Sequence, residues 1–147
     1  MSTPREMPIV MRDEGTEDRC CIPFEHEIDL LICDDLEALA DELPRLPNGA
    51  AMRRLSERLS LASDRWRSQH DSPCRRISQL SRDFRLLDSI HAIDVSDAFW
   101  AYWRKPDPQA AECLGYMLRS LFDGRRRAIA LERLELGCAS CQSSAID

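Results

Sequence analysis

The chain predicts an all-α fold: a single antiparallel four-helix bundle running up-down-up-down. Three observations carry this. Apolar residues recur at steps of three and four in four long stretches, as they do along one face of a helix. Breaks rich in Pro, Gly and Asn separate those stretches: Pro44, Pro47 and Asn48-Gly49, then Asp71-Ser72-Pro73, then Pro106-Asp107-Pro108. No stretch alternates apolar and polar residues as a half-buried strand does. Connections this short favour antiparallel neighbours.

Residues 1–22 mix charges with Pro, Gly, Ser and Thr without periodicity and read as a flexible N-terminal tail. The first helix starts near Pro23, a good first helical residue, and runs to Leu43. Its charges are all acidic, among them Glu25, Asp29, Asp35 and Glu42. Its apolar residues, from Phe24, Ile28 and Leu31 to Leu36, Leu39 and Leu43, form too broad a face for one seam, so two neighbouring helices should cover it. The second helix runs from about Ala50 to His70. Its inward row is Met52, Leu55, Leu59, Ala62, Trp66 and then His70, and its outer face carries Arg53, Arg54, Arg58, Arg65 and Arg67. The third runs from about Leu80 to Trp103, with Leu80, Phe84, Leu87, His91, Val95, Ala98 and Tyr102 as its expected inward row. The fourth runs from about Gln109 to Leu136 through Leu114, Leu118 and Leu121, with Gly137 as its expected C-cap. Gly124 is a weak point inside it, worth about 1 kcal/mol relative to Ala. The bundle then spans residues 23–137, and 138–147 form a C-terminal tail. In this order the acidic first helix lies between the basic second and fourth.

At 147 residues the chain is one domain with room for a core. A formal net charge of −6, with no aromatics interleaved among the arginines, argues against a nucleic-acid surface. No apolar run approaches the roughly 18 residues of a membrane span, and the first fifteen residues lack a signal peptide's apolar core. A cytoplasmic location is expected. Seven cysteines without an export signal argue against a disulfide framework. Cys33 and Cys113 sit among apolar neighbours and should pack as small hydrophobes. No nucleophile–base set, phosphate loop or pair of catalytic carboxylates stands out, so a non-enzymatic role is expected.

The chemistry-bearing residues are the three histidines. His70 and His91 end and interrupt apolar rows on two helices joined by a short bend, which would bring both imidazoles inward near one level. His26 lies near the start of the first helix, and AIALERLEL, residues 128–136, closes the fourth. This pattern resembles the hemerythrin-like, cation-binding four-helix bundle family over about residues 22–137. By that resemblance His26, His70 and His91 match expected histidines, and Glu132 matches the fourth helix's carboxylate. Cys74 stands where the family has a glutamate and Ala128 where it has a histidine. A complete paired-iron site needs five histidines, so the resemblance implies at most a reduced site. That site would be His26, His70, His91 and Glu132, with Cys74 as a fifth group, holding a single ion rather than a pair. Iron is the implied metal and zinc the alternative, with oxygen or another small gas as its ligand. A level check supports His26. It and His70 both lie roughly 25–30 Å from the turn between the first two helices at about 1.5 Å per residue, whereas Asp35 lies only about 12 Å away.

Three further groups bear on function. Cys20 and Cys21 could meet Cys138 and Cys141 at one end of the bundle as a zinc or redox cluster, or remain unligated thiols. Arg125, Arg126 and Arg127 read as a solvated face opposite the first helix. Among Phe99, Trp100, Tyr102 and Trp103, adjacent positions cannot all face inward, so Trp100 or Trp103 could mark a partner surface. The rival to the metal reading is a metal-free bundle serving as a regulatory or protein-interaction module.

Overall fold

The computed structural model describes residues 21–71 and 74–146, with side chains described for 21–70 and 74–137. It contains four helices: α1 (Ile22–Glu42), α2 (Gly49–Asp71), α3 (Gln79–Arg104) and α4 (Pro108–Ile146). There is no strand among the described residues. The starts follow the local chemistry. Pro23 sits in the first turn of α1. Asn48 Oδ1 accepts the amide of Ala51 at 2.9 Å, Ser78 Oγ that of Ser81 at 3.1 Å and Asp107 Oδ2 that of Ala110 at 3.2 Å. Each cap satisfies an amide that the first helical turn leaves open. Gly137 does not cap α4. The helix runs through it to Ile146, and the glycine has no left-handed backbone that would end it.

Each helix packs on its neighbours in the chain, and α1 also packs on α4. Ion pairs tie α1 to α4 at Glu27–Arg133, Asp34–Arg126 and Asp41–Arg119. The acidic first helix therefore meets arginines of the fourth. It also meets those of the second, where Arg58 pairs with Asp35. These exposed pairs contribute about 0–1 kcal/mol each, so they select neighbours more than they hold the bundle.

The core is divided. Toward the α1–α2 and α3–α4 turns it is dry, built from residues such as Leu36, Met52, Leu59, Phe99, Leu118 and Phe122. Full burial of each large side chain there contributes roughly 1.5–3 kcal/mol. Tyr102 reaches from α3 to donate its hydroxyl to the Pro44 carbonyl at 3.0 Å. Toward the other end the interior is polar: His26, Asp29, Ser63, Ser81, Arg85, Ser89, Arg125 and Glu132 are all buried. A small apolar group of Ile22, Ile77 and Leu136, with Cys74 packed against it, closes that end.

This polar end overturns part of the sequence reading. Leu80, Phe84 and Leu87 of α3 are exposed, and Ser81, Arg85 and Ser89 point inward in their place. Phe24, Ile28 and Leu31 of α1 are exposed too, while His26 and Asp29 occupy its buried face. Arg125 is not on a solvated face but buried, whereas Arg127 is exposed. Cys33 is buried as expected, but Cys113 is exposed. For α1, α3 and Arg125 the reason is charge pairing across the interior; nothing in the structure explains the exposure of Cys113.

Candidate functional site

Glu132 is the centre of the polar end. His26 Nε2 donates to its Oε1 at 2.8 Å. Arg85 Nε and Nη2 donate to Oε2 and Oε1, both at 2.9 Å, and Arg125 Nη2 donates to Oε2 at 3.1 Å. Burial alone would push this carboxyl up. The His26 and Arg85 hydrogen bonds and the Arg85 and Arg125 charges outweigh it and hold the group at about 2. Glu132 is thus an acceptor, which requires His26 to carry its proton on Nε2.

The surrounding groups spread this cluster over all four helices. Arg85 Nη1 lies 3.6 Å from Glu25 Oε2 on α1, and Arg125 Nη1 lies 3.0 Å from Asp88 Oδ2 on α3. The Arg125 guanidinium stands 5.2 Å from the Trp66 ring centroid on α2, at cation–π distance. Trp66 Nε1 donates to Asp29 Oδ2 at 2.9 Å, and Arg65 pairs with the other Asp29 oxygen. Arg85 thereby links α3 to α1, and Arg125 links α4 to α2. A Cβ at Gly124 would meet Asp88 Oδ1 at 4.0 Å, an ordinary van der Waals contact, so the packing beside Asp88 does not require glycine there. Burial raises the Glu25 and Asp88 carboxyls against the pull of the nearby arginines, Asp88 to about 6.

Of the residues expected to hold a metal, two are brought together. His26 and Glu132 meet. His70 is exposed at the end of α2, His91 is half-buried on α3, and Cys74 packs beside Ile77. Burial lowers the His91 imidazole, against the charge of Asp94. Among the described residues no three His, Cys, Asp or Glu side chains converge where an ion could sit. The donor chemistry agrees. Glu132's two oxygens accept four N–H groups, which is about the full lone-pair capacity of a carboxylate. Guanidinium offers no lone pair at all. Glu132 and His26 as placed do not fit a metal ion, because two arginines supply the positive charge that an ion would bring.

The other sequence candidates settle differently. Trp103 is partly exposed, while Trp100 is half-buried and donates to Ser56 Oγ at 3.1 Å. Cys21 is exposed, whereas Cys20 and the side chains of Cys138 and Cys141 lie outside the described residues. Burial pushes the Cys33 thiol up to about 12, which makes it a poor nucleophile. A groove of about 450 Å³ opens between α1 and α2 over Leu39, Leu46 and Leu55, rimmed by Arg45, Arg54 and Arg58. It shares no residue with the polar cluster. The sequence reading missed Arg85, Asp88 and Asp29, and it misplaced Arg125. On α3, stepping back from Tyr102 through Phe99, Val95 and Ala92 by threes and fours does lead to Asp88, Arg85 and Ser81, but the competing row through Leu87, Phe84 and Leu80 has the same period and more apolar residues.

Compared with known proteins, the chain matches no family model, no curated protein and no solved structure. No helix among the described residues is long and apolar enough to cross a membrane.

Proposed function

We propose that this chain is a metal-free, up-down-up-down antiparallel four-helix bundle that serves as a protein-interaction module, docking through the outward face of α3. One observation carries the reading. Leu80, Phe84, Leu87, Ile90 and Ile93 lie along a single helix and are each between 38% and 60% exposed. Exposed apolar residues scattered singly need no explanation, but a contiguous group on one element marks a contact surface. The buried charges support the same reading. Arg85 must face Glu132 to avoid an unpaired interior charge, and this holds α3 with its apolar row turned outward. The cluster is an orienting device, not a reaction centre. Its likeness to the hemerythrin-like pattern then lies in architecture, with His26 and Glu132 kept as a hydrogen-bonded pair.

The test is a photo-cross-linking residue at Leu80, compared with one at the exposed Glu112 of α4, in extract of the cells that make the protein. Defined adducts from position 80 alone, lost when Phe84→Glu and Leu87→Glu are added, are expected. The same adducts from both positions, or none from either, would overturn the reading. Elemental analysis of untagged protein checks the metal-free part: stoichiometric iron or zinc that disappears on Glu132→Gln contradicts it.

A further inference from the structure

We infer that the partner on the α3 face is a second copy of this chain, paired antiparallel about a two-fold axis through Leu87. The inference rests on the docking reading above and names its occupant. In a two-fold interface the same patch faces itself, so residue i meets j and j meets i. The row Asp83, Leu87, His91 steps by four, which makes it a ridge suited to helix–helix packing. With the axis at Leu87, each Asp83 faces the partner's His91, and each His91 faces the partner's Asp83. Phe84 and Ile90 lie on opposite flanks of this ridge, so each approaches its own counterpart across the axis. The polar residues on either side of the central leucine are thus a donor and an acceptor related by the axis itself. Asp83 is exposed and accepts from Gln79 Nε2 at 2.8 Å through Oδ1, which leaves Oδ2 to face the partner's His91; His91 is half-buried. An imidazole N–H can donate to a carboxylate whether or not the ring is charged.

The other outward apolar row, Phe24, Ile28 and Leu31 of α1, does not share this property. Every charged residue of α1 is acidic, so a two-fold axis there would set carboxylate against carboxylate. Several of those carboxylates, Glu27, Asp34 and Asp35, are already engaged by arginines of α4 and α2. Self-pairing therefore belongs to α3.

Sedimentation velocity over a concentration series tests this on the full chain, with circular dichroism to confirm that each variant is folded. The wild type is expected to dimerise. Leu87→Glu places two carboxylates on the axis and should weaken the dimer about a hundredfold or more. Asp83→His and His91→Asp alone should each weaken it about tenfold, because each breaks two Asp–His contacts and sets like groups together. The double variant Asp83→His/His91→Asp restores an acceptor opposite a donor and should recover the dimer. A wild type that stays monomeric overturns the second copy. The docking reading then survives if the position-80 cross-linker still yields adducts of another mass, and falls with it if there are none. A dimer indifferent to Leu87→Glu, or a double variant no better than the singles, overturns the pairing.

Discussion

The two ends of this bundle solve the same packing problem by opposite means. Near the turns, Leu36, Leu59, Phe99 and Leu118 fill the interior with apolar volume. Near the other end, Glu132, Arg85, Arg125 and His26 fill it with charge. Dry packing is forgiving, because apolar side chains of similar volume can replace each other at little cost. Charge packing is not, since each group is tolerable only while its partner is present. The comparison teaches that the polar end contributes orientation more than stability. It decides which face of α1 and α3 is inward, and does so against their apolar rows.

The largest effect should come from breaking the polar end at its centre. Glu132→Leu leaves Arg85 and Arg125 buried without their shared acceptor, and should lower unfolding free energy by about 3–5 kcal/mol. Urea unfolding followed by circular dichroism measures this. Adding Arg85→Met to Glu132→Leu should recover part of the loss, because an apolar pair replaces a broken ionic one. If the double variant is as unstable as the two single losses added, the cluster is not a coupled unit.

Leu118→Ala probes the dry end. Its expected loss is about 2–5 kcal/mol, set by the cavity it leaves. Combined with Glu132→Leu it should add, since the two sites share no partner. Strong coupling between them would mean that the two ends are not the separate regions described here.

Acid sharpens the comparison, because the buried core of the dry end holds no carboxylate to titrate. Glu132 is held at about 2 against an ordinary 4.5, so its stabilisation is complete above the ordinary value and is lost as pH falls toward 2. Asp88 has the opposite sign. Burial, opposed by Arg125, raises it from 3.8 to about 6, so the fold favours its protonated form. Its contribution is present at low pH and is lost as pH rises through 6. Thermal unfolding across this range should therefore show stability rising on the Glu132 limb and then declining on the Asp88 limb. Asp88→Asn should flatten the decline and leave the rise. A decline unchanged in that variant would assign it to another group, with Glu25, also raised by burial, as the next to test.

The difference between the ends is also the difference between what the sequence made legible and what it did not. The four helices, their breaks and the dry core followed from period and from Pro, Asn and Ser signals. Helix length set His26 level with His70, which is exposed; no reading of the residues alone set His26 beside Glu132. The face of α3 did not, because two rows share Val95 and Tyr102 and diverge by one residue toward the N-terminus. One row ends in Phe84 and Leu80, the other in Arg85 and Ser81. Counting apolar residues chooses the first, and only the demand of Glu132 for a donor chooses the second. A single chain read locally carries no sign of that demand, since Arg85 and Glu132 lie 47 positions apart.

The smallest effect is the one that separates these two rules most cleanly. Leu31 lies in the middle of α1's apolar run, where the sequence reading makes it core. The structure leaves it exposed, while Leu36, five residues on, is buried. Leu31→Gln should change unfolding free energy by no more than about 0.5 kcal/mol, as substitutions away from buried features do. Leu36→Gln should lose about 2 kcal/mol or more, because it removes apolar burial and brings an unpaired amide into the dry end. α1 carries no proposed dimer contact, so the comparison is independent of assembly. Equal losses at the two positions would mean that α1 turns its apolar row inward after all. His26 could not then sit beside Glu132, and the orientation argued from the buried charges would fail at its first helix.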